Sequence, residues 1–310
     1  MTFWKKLFHI WIILDDLSIL ILGDQVIQYF TYRRDFVSNQ KKEIQPKQHQ
    51  ERQPGFEHEM KPLPEYVDPN YKGSDKLKGK VAVITGGDSG IGRAVSLYFA
   101  KEGADVAVLY LNEQEDAEKT KQLIESEGRT CRLYNGDIGS AAFCEETVRR
   151  IKTDFGTIDV LVNNAAMQFP QKDLTAITNQ QLEKTFRVNF FSYVYMAKAV
   201  LPHLQKGSTI INTSSVTAYE GNEQLIDYSS TKGAITTFTR SLAKSLVDKG
   251  IRVNGVAPGP IWTPLIPASF DKQKVAEFGS TNPMGRPGQP YELAPAYVYL
   301  ASQDSSYVTG

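Results

Sequence analysis

Residues 81–92, VAVITGGDSGIG, are the part of this chain that most strongly predicts its architecture. The first five, Val81–Thr85, are apolar and mostly β-branched, as in a strand that is buried on both faces. Gly86, Gly90 and Gly92 follow, and a helical pattern begins directly after them. A glycine-rich turn between a strand and a helix binds a pyrophosphate through backbone N–H groups and the helix dipole. A purely structural turn is the competing explanation, and the flanking strand and helix weigh against it.

Apolar runs and amphipathic stretches alternate along the chain from Lys80 onward. The further predicted strands are Asp105–Leu111, Thr130–Tyr134, Val160–Val162, Thr209–Thr213 and Arg252–Val256. The predicted helices are Arg93–Glu102, Glu113–Glu127, Ala141–Phe155, Gln180–Leu204 and Ser229–Asp248. This order predicts an α/β fold, a Rossmann-like doubly wound parallel sheet with helices on both faces. Ligands of such sheets bind at the carboxyl ends of the strands.

The chain divides into an N-terminal extension (1–40), an extended arm rich in Pro and Gln (41–78) and the Rossmann domain (79–310). The extension has an apolar run, Leu7–Leu14, that Asp15 and Asp16 end. A membrane span over residues 3–22 would carry both aspartates, each costing ~3 kcal/mol near the bilayer centre. Two explanations stay open for the extension: a weakly membrane-associating helix, or a stretch upstream of the true start of translation.

The composition excludes several kinds of protein. The 35 basic and 35 acidic residues balance, so the chain lacks the positive charge that nucleic-acid binding requires. Cys131 and Cys144 lack metal-ligand spacing. We therefore expect no metal site, no disulfide scaffold and a reducing, cytoplasmic location.

The ends of the predicted strands carry candidate cofactor contacts. Asp137-Ile138 ends the third strand, where a carboxylate can accept from an adenine amino group or cap the next helix. Asn163-Asn164-Ala165-Ala166 ends the fourth, where small residues let a cofactor pass and the asparagines tie strand ends together. Tyr110-Leu111-Asn112-Glu113 ends the second strand with neither an acid at the expected tip nor an Arg or Lys. This tip favours NADP, or use of both NADP and NAD.

Tyr228 and Lys232 are the candidate proton-transfer pair. They are four residues apart in a predicted helix, so their side chains lie on one face, where an ammonium lowers the pKa of a phenol. Alone this spacing is common and mostly without function. Ser215, at the end of a predicted strand, is placed to orient a substrate oxygen, or is a turn residue. Asn189 is unfavourable inside its predicted helix, which indicates either a functional or a helix-packing role.

Together these motifs resemble the classical short-chain dehydrogenase/reductase family from about Pro46 to Gly310. Matching motifs are Thr85-Gly86-x-x-x-Gly90-x-Gly92, Asn163-Asn164-Ala165, Asn189, Ser215, Tyr228-x-x-x-Lys232 and Pro258-Gly259. Other stretches resemble a bacterial branch of general-stress proteins and NADP-linked aldehyde reductases: Gln53-Pro54-Gly55 with Glu59-Met60, Gly86–Gly90, Tyr110–Glu113 and Pro260–Pro264.

The resemblance implies an NAD(P)-dependent oxidoreductase that reduces a carbonyl compound, an aldehyde above all, or oxidises the matching alcohol. Tyr228 would be the general acid in reduction and the base in oxidation, and Lys232 would lower its pKa and hold the nicotinamide ribose. Ser215 would polarise the carbonyl, and Asn189 would support a water leading protons to Lys232. Besides Tyr228 and Lys232, the implied cofactor contacts are Gly86, Asp88, Ser89, Gly90, Ile91, Gly92, Tyr110, Leu111, Asn112, Asp137, Ile138, Asn164, Ala165, Ala166, Pro258, Gly259, Ile261 and Thr263.

The resemblance also implies a lid over the substrate from Pro264 to Pro290 and a homotetramer. The chain stops at Gly310, where family members enter a last strand, so we expect an exposed sheet edge and impaired assembly. The competing functions are a non-catalytic NAD(P)-binding protein, a truncated inactive fragment and an oxidoreductase anchored in a membrane by residues 3–22.

Overall fold

The computed structural model describes residues 41–310, together with the backbone of three strands between residues 10 and 30. These strands, β1 (Ile10–Leu14), β2 (Leu17–Leu22) and β3 (Gln25–Phe30), form an antiparallel sheet in a unit separate from residues 41–310. Where residues 3–22 are described, their backbone therefore forms strands rather than the helix considered above. The prediction that residues 3–22 associate with a membrane concerns side chains and residues that lie outside the described ones. Within the described part of the chain, no helix is long and apolar enough to cross a membrane.

A six-stranded parallel sheet forms the centre of residues 41–310. Its strands are β4 (Val81–Thr85), β5 (Asp105–Tyr110), β6 (Cys131–Asn135), β7 (Val160–Asn163), β8 (Thr209–Thr213) and β9 (Arg252–Val256). The order is β6-β5-β4-β7-β8-β9, and every neighbouring pair is parallel. The chain reverses its winding direction between β4 and β7. The predicted doubly wound sheet is confirmed, and this switch point is where such sheets bind ligands.

Helices cover both faces of the sheet. The α-helices within residues 41–310 are α1 (Gly90–Lys101), α2 (Gln114–Ser126), α3 (Ala141–Phe155), α4 (Asn179–Phe186), α5 (Ser192–Val200), α6 (Thr217–Glu220), α7 (Ile226–Leu246), α8 (Lys272–Glu277) and α9 (Pro290–Ala301). One apolar cluster joins α1 and α9 to the sheet, and a second joins α3, α5 and α7 to its other face. Because both faces are covered, the inner strands β4, β5, β7 and β8 are buried along almost their whole length.

Residues 41–78 form neither helix nor strand, as their composition predicts, but they are firmly packed. Met60 and Leu77 are buried in apolar clusters of the main unit. The backbone of the arm also bonds to distant segments, with Gln50 N donating to Pro267 O at 2.9 Å. A 3.0 Å hydrogen bond from the buried indole of Trp262 to Pro62 O adds a further link. The arm therefore belongs to the same folding unit as the sheet.

The last residues of the chain lie beside β9. Gly310 N donates to Val253 O at 2.8 Å, and Val253 N donates to the hydroxyl of Thr309 at 3.0 Å. Asn254 Nδ2 adds a bond of 2.9 Å to Val308 O. These contacts occupy backbone groups of the expected exposed edge.

Candidate active site

A cleft of about 450 Å³ opens at the carboxyl edge of the sheet, above the switch point between β4 and β7. Segments that follow every strand of the six-stranded sheet line it. Its volume lies within the range of ligand pockets that are largely preformed.

The turn after β4 forms one wall of the cleft through close backbone packing. Gly86 and Gly90 have positive φ angles of 61° and 51°, which side chains other than glycine rarely adopt. A Cβ atom on Gly86 would come within 3.0 Å of Ala165 Cα. On Gly92 it would lie 1.8 Å from Gly86 O, so α1 approaches the turn as closely as backbone allows. The N-terminus of α1 thus faces an open cradle of backbone, which fits the pyrophosphate of a dinucleotide.

Tyr228, Lys232 and Ser215 meet in this cleft. Tyr228 and Ser215 both line the cleft, and the Ser215 side chain acts to lower the pKa of the phenol. Ser215 Oγ accepts from Thr217 N at 3.1 Å and from Thr217 Oγ1 at 3.0 Å, so its own proton is available to Tyr228 or to a substrate oxygen. Lys232 Nζ donates to Thr213 O at 2.8 Å, the last carbonyl of β8.

Burial, not charge, dominates the pKa values of the pair. Lys232 Nζ lies 5.4 Å from the ring centre of Tyr228, and desolvation lowers the pKa of Lys232 to about 7. Desolvation raises the pKa of Tyr228 to about 12, against the opposing effect of the Ser215 side chain. The lowering of the tyrosine pKa by Lys232 stays a prediction, since neither group is among the causes of the other's shift. Burial disfavours the charged form of each group, which raises the pKa of the phenol and lowers that of the amine.

Comparisons with known proteins fit this geometry. A family model described as "Enoyl-(Acyl carrier protein) reductase" matches residues 86–310. A crystal structure of a short-chain dehydrogenase from Burkholderia cenocepacia in complex with NADP has a TM-score of 0.70 and 27% identity, covering 76% of this chain and 95% of that one. The chain belongs to the short-chain dehydrogenase/reductase family. It is an NAD(P)-dependent oxidoreductase by this membership.

Two relatives identify the branch of the family. General stress protein 39 of Bacillus subtilis is 57% identical over 274 residues, which are 88% of this chain and 96% of that protein. The chloroplastic NADPH-dependent aldehyde reductase 1 of Arabidopsis thaliana is 52% identical over 271 residues, 85% of this chain and 94% of that protein. The resemblance to general-stress proteins and NADP-linked aldehyde reductases is confirmed.

Most of the predicted cofactor contacts of this short-chain dehydrogenase/reductase line the cleft. They are Gly86, Asp88, Ser89, Gly90, Ile91, Tyr110, Leu111, Asp137, Ile138, Asn164, Ala165, Ala166, Pro258, Gly259, Ile261 and Thr263. Gly92 and Asn112 lie outside the lining, Gly92 beneath the turn and Asn112 at the tip of β5.

Asn189 lies behind the cleft rather than in its lining. It is fully buried in a π-helical turn, Arg187–Phe191, that divides the single predicted helix 180–204 into α4 and α5. Its amide accepts from Met167 N and donates to Met167 O, both at 2.8 Å, and reaches Thr231 Oγ1 at 3.3 Å. Asn189 thereby holds the segment after β7 in place, and the π turn gives its amide room to do so.

The strand-end residues take the tethering roles considered for them. Asn163 Nδ2 donates to the side chain of Asn212 on β8 at 3.0 Å, and Asn164 Nδ2 donates to Thr85 O and Gly86 O, each at 3.2 Å. Asp137 does not cap α3, because its carboxylate accepts from Gly139 N at 2.7 Å. Ser140 is the residue that caps α3. Asp137 thus keeps an exposed position at the cleft.

Sequence reasoning missed that the arm forms part of the site. Pro54 and Gly55 line the cleft, and a Cβ on Gly55 would lie 2.6 Å from Pro264 O. The side-chain amide of Gln53 pairs with the backbone N–H and carbonyl of Gln168, beyond the end of β7. The available signal was Gln53-Pro54-Gly55, which resembled the same branch of the family without showing where it packs.

The arm also places a buried carboxylate against the glycine-rich turn. Glu57 accepts from Gly90 N at the start of α1 and from the guanidinium of Arg93. Arg93 bonds in addition to Asp116 at 3.4 Å. Glu57 occupies the N–H group of Gly90, so the pyrophosphate would have to bind to the N–H groups that follow it in the first turn of α1. The pKa of Glu57 is raised, since its burial outweighs the attraction of Arg93.

Proposed function

We propose that this protein is an NADP(H)-dependent reductase of small carbonyl compounds, aldehydes above all. The meeting of Tyr228, Ser215 and Lys232 in one cleft with the glycine-rich turn carries this proposal. A proton donor and a dinucleotide cradle in the same cavity are the two requirements of carbonyl reduction.

Tyr228 is the proton donor in this proposal. With a pKa of about 12, its phenol stays protonated at neutral pH, as reduction requires. Ser215 has a hydroxyl proton free to bond with the carbonyl oxygen and to hold it beside the phenol. Lys232, fixed on Thr213 O, is placed to hold a ribose hydroxyl and to return a proton towards Tyr228. When bound, the reduced nicotinamide supplies the hydride that reaches the carbonyl carbon.

The cavity supports a small, partly apolar substrate. Leu265, Ile266, Phe270 and Phe278 of the lid line it, and Gln168 and Asn222 are among its polar residues. Such a lining binds a hydrocarbon group and orients a few oxygens. The choice of an aldehyde and of NADPH is also supported by the name of the Arabidopsis relative.

Initial rates of NADPH oxidation, measured at 340 nm across a panel of aldehydes, test the proposal. We expect Tyr228→Phe to lose activity by about a hundredfold or more, because it removes the proton donor, and to bind NADPH as before. Tyr219→Phe is the matched control, since Tyr219 is 63% exposed and outside the cleft, and its activity should be unchanged.

The outcomes separate the candidate functions. NADPH binding without turnover of any aldehyde would favour the non-catalytic NAD(P)-binding protein. Equal activity of Tyr228→Phe and the unsubstituted protein would refute the assigned proton donor. The cytoplasmic location and the homotetramer stay predictions, and light scattering measures the second directly.

A further inference from the structure

The tip of β5 is the place where a Rossmann fold distinguishes NADP from NAD. An acid there binds the ribose 2′-hydroxyl, whereas an arginine nearby accommodates a 2′-phosphate. The strand end itself, Tyr110–Glu113, contains no cation. The structure brings one from another part of the chain: Arg52 Nη2 of the arm lies 2.6 Å from Asn112 Oδ1 and 3.0 Å from Glu113 Oε1.

The guanidinium of Arg52 is held in a fixed position. Its Nε donates to Pro54 O at 2.8 Å, and its Cζ lies 3.6 Å from the ring centre of Phe56. Within residues 41–310, Nη1 makes no hydrogen bond. A planar fork that is already oriented loses little conformational entropy when it binds an anion, and guanidinium matches phosphate oxygens in a bidentate way.

Arg52 is the more exposed member of the ion pair at this tip, with a side chain that is 30% exposed against 1% for Glu113. Glu113 lines the cleft and Arg52 does not. The hydrogen bonds of Arg52 to Glu113 and to Pro54, which both line the cleft, place the guanidinium at its border. Two neighbouring carboxylates, Glu57 and Asp116, are paired with the buried Arg93. Asp88 is buried, and that burial raises its pKa to about 7, which reduces its negative charge at neutral pH.

We propose that Arg52 binds the 2′-phosphate of NADP(H), so that the arm and not the Rossmann strand determines cofactor preference. The proposal rests on the proposed function, in that it assumes a nicotinamide dinucleotide in the cleft. Asn112 and Glu113 act as positioning residues, which hold the guanidinium at the edge of the adenosine site.

Cofactor binding without substrate tests the role of Arg52 independently of turnover. Fluorescence titrations give the Kd values of NADPH and NADH, and displacement by 2′,5′-ADP or 5′-AMP isolates the contribution of the 2′-phosphate. We expect Arg52→Gln to raise the Kd values of NADPH and 2′,5′-ADP about tenfold or more, and those of NADH and 5′-AMP less than about twofold. Arg52→Lys keeps the charge but not the forked guanidinium, so its Kd for NADPH should lie between those of the unsubstituted protein and of Arg52→Gln.

Lys47→Gln is the matched control, because it also removes one positive charge from the arm but Lys47 is 50% exposed and pairs with Glu43. Its Kd values should match those of the unsubstituted protein. Equal weakening of both cofactors by Arg52→Gln and Arg52→Lys contradicts the proposal and assigns Arg52 to arm packing. Unchanged NADPH binding by Arg52→Gln, or tighter binding of NADH than of NADPH by the unsubstituted protein, contradicts it as well. Binding of neither cofactor to the unsubstituted protein refutes the proposed function itself.

Discussion

Replacing Gly92 with alanine tests the cradle for the cofactor. The added Cβ would lie 1.8 Å from Gly86 O and 2.9 Å from Asn164 Nδ2. A real Cβ keeps at least 3.0 Å from such atoms, so α1 and the turn must separate by at least about 1.2 Å. That separation also strains the 3.2 Å hydrogen bond from Asn164 Nδ2 to Gly86 O.

The cost follows from these contacts. Overpacking against backbone costs about 1–3 kcal/mol, and the loss of this hydrogen bond adds about 1 kcal/mol, so we expect a loss of about 2–4 kcal/mol in the free energy of unfolding. Most of the protein remains folded if its stability is ordinary for a domain, at about 5–15 kcal/mol. The displaced turn should weaken NADPH binding by about tenfold or more.

Urea unfolding and NADPH fluorescence titration measure the two effects of Gly92→Ala. Gly233→Ala is the matched control, because among the described residues 41–310 a Cβ at Gly233 in α7 meets no atom within 4 Å outside the helix itself. This control should gain up to about 1 kcal/mol from the helix propensity of alanine. If Gly92→Ala unfolds at the same urea concentration as the unsubstituted protein and binds NADPH equally well, the close packing described here is wrong.

Three further predictions concern the arm, the buried lysine and the π turn. Gly55→Ala should cost about 1–3 kcal/mol and expose the arm to limited proteolysis, because its Cβ meets Pro264 O at 2.6 Å; unchanged cleavage contradicts the docked arm. Burial lowers the pKa of Lys232 from 10.5 to about 7, so between these values the unfolded chain holds more protons and stability rises with pH. Urea titrations at about pH 7 and 8.5 should show that the free energy of unfolding rises by about 1–2 kcal/mol less in Lys232→Met than in the unsubstituted protein. An equal rise in both proteins contradicts the lowered pKa. Asn189→Leu should lose about 2–5 kcal/mol in urea unfolding, since it leaves the backbone N–H and carbonyl of Met167 without their partners; a loss below about 1 kcal/mol opposes this tether.

The sheet was predictable from the sequence because its information is local. Short runs rich in β-branched residues, set between helical patterns, predicted Thr209–Thr213 and Arg252–Val256 with their observed bounds. The helix over Ala141–Phe155 was likewise placed correctly, since its period is regular and glycine follows it. The candidate catalytic residues Tyr228, Lys232 and Ser215 followed from motif spacing on these elements.

Features that depend on distant contacts were not predictable. The break in the helix at Asn189 arises from hydrogen bonds to Met167, which precedes it by 22 residues. The position of Arg52 depends on contacts with Asn112 and Glu113, some 60 residues further along the chain. A segment without periodic apolar residues gives no local signal for such docking. The pKa of Tyr228 could not be foreseen either, because spacing indicates a neighbouring amine but not how much water both groups lose.

The packing of the arm affects where the protein can be truncated. A truncated protein that begins at Lys80, where the alternating pattern starts, lacks Met60 and Leu77 of the interior and Gly55 of the wall of the cleft. The nucleotide-binding pattern thus begins inside the compact unit of residues 41–310 instead of at its margin. Grafting residues 41–64 between relatives exchanges part of the active-site wall while leaving every strand of the nucleotide fold untouched.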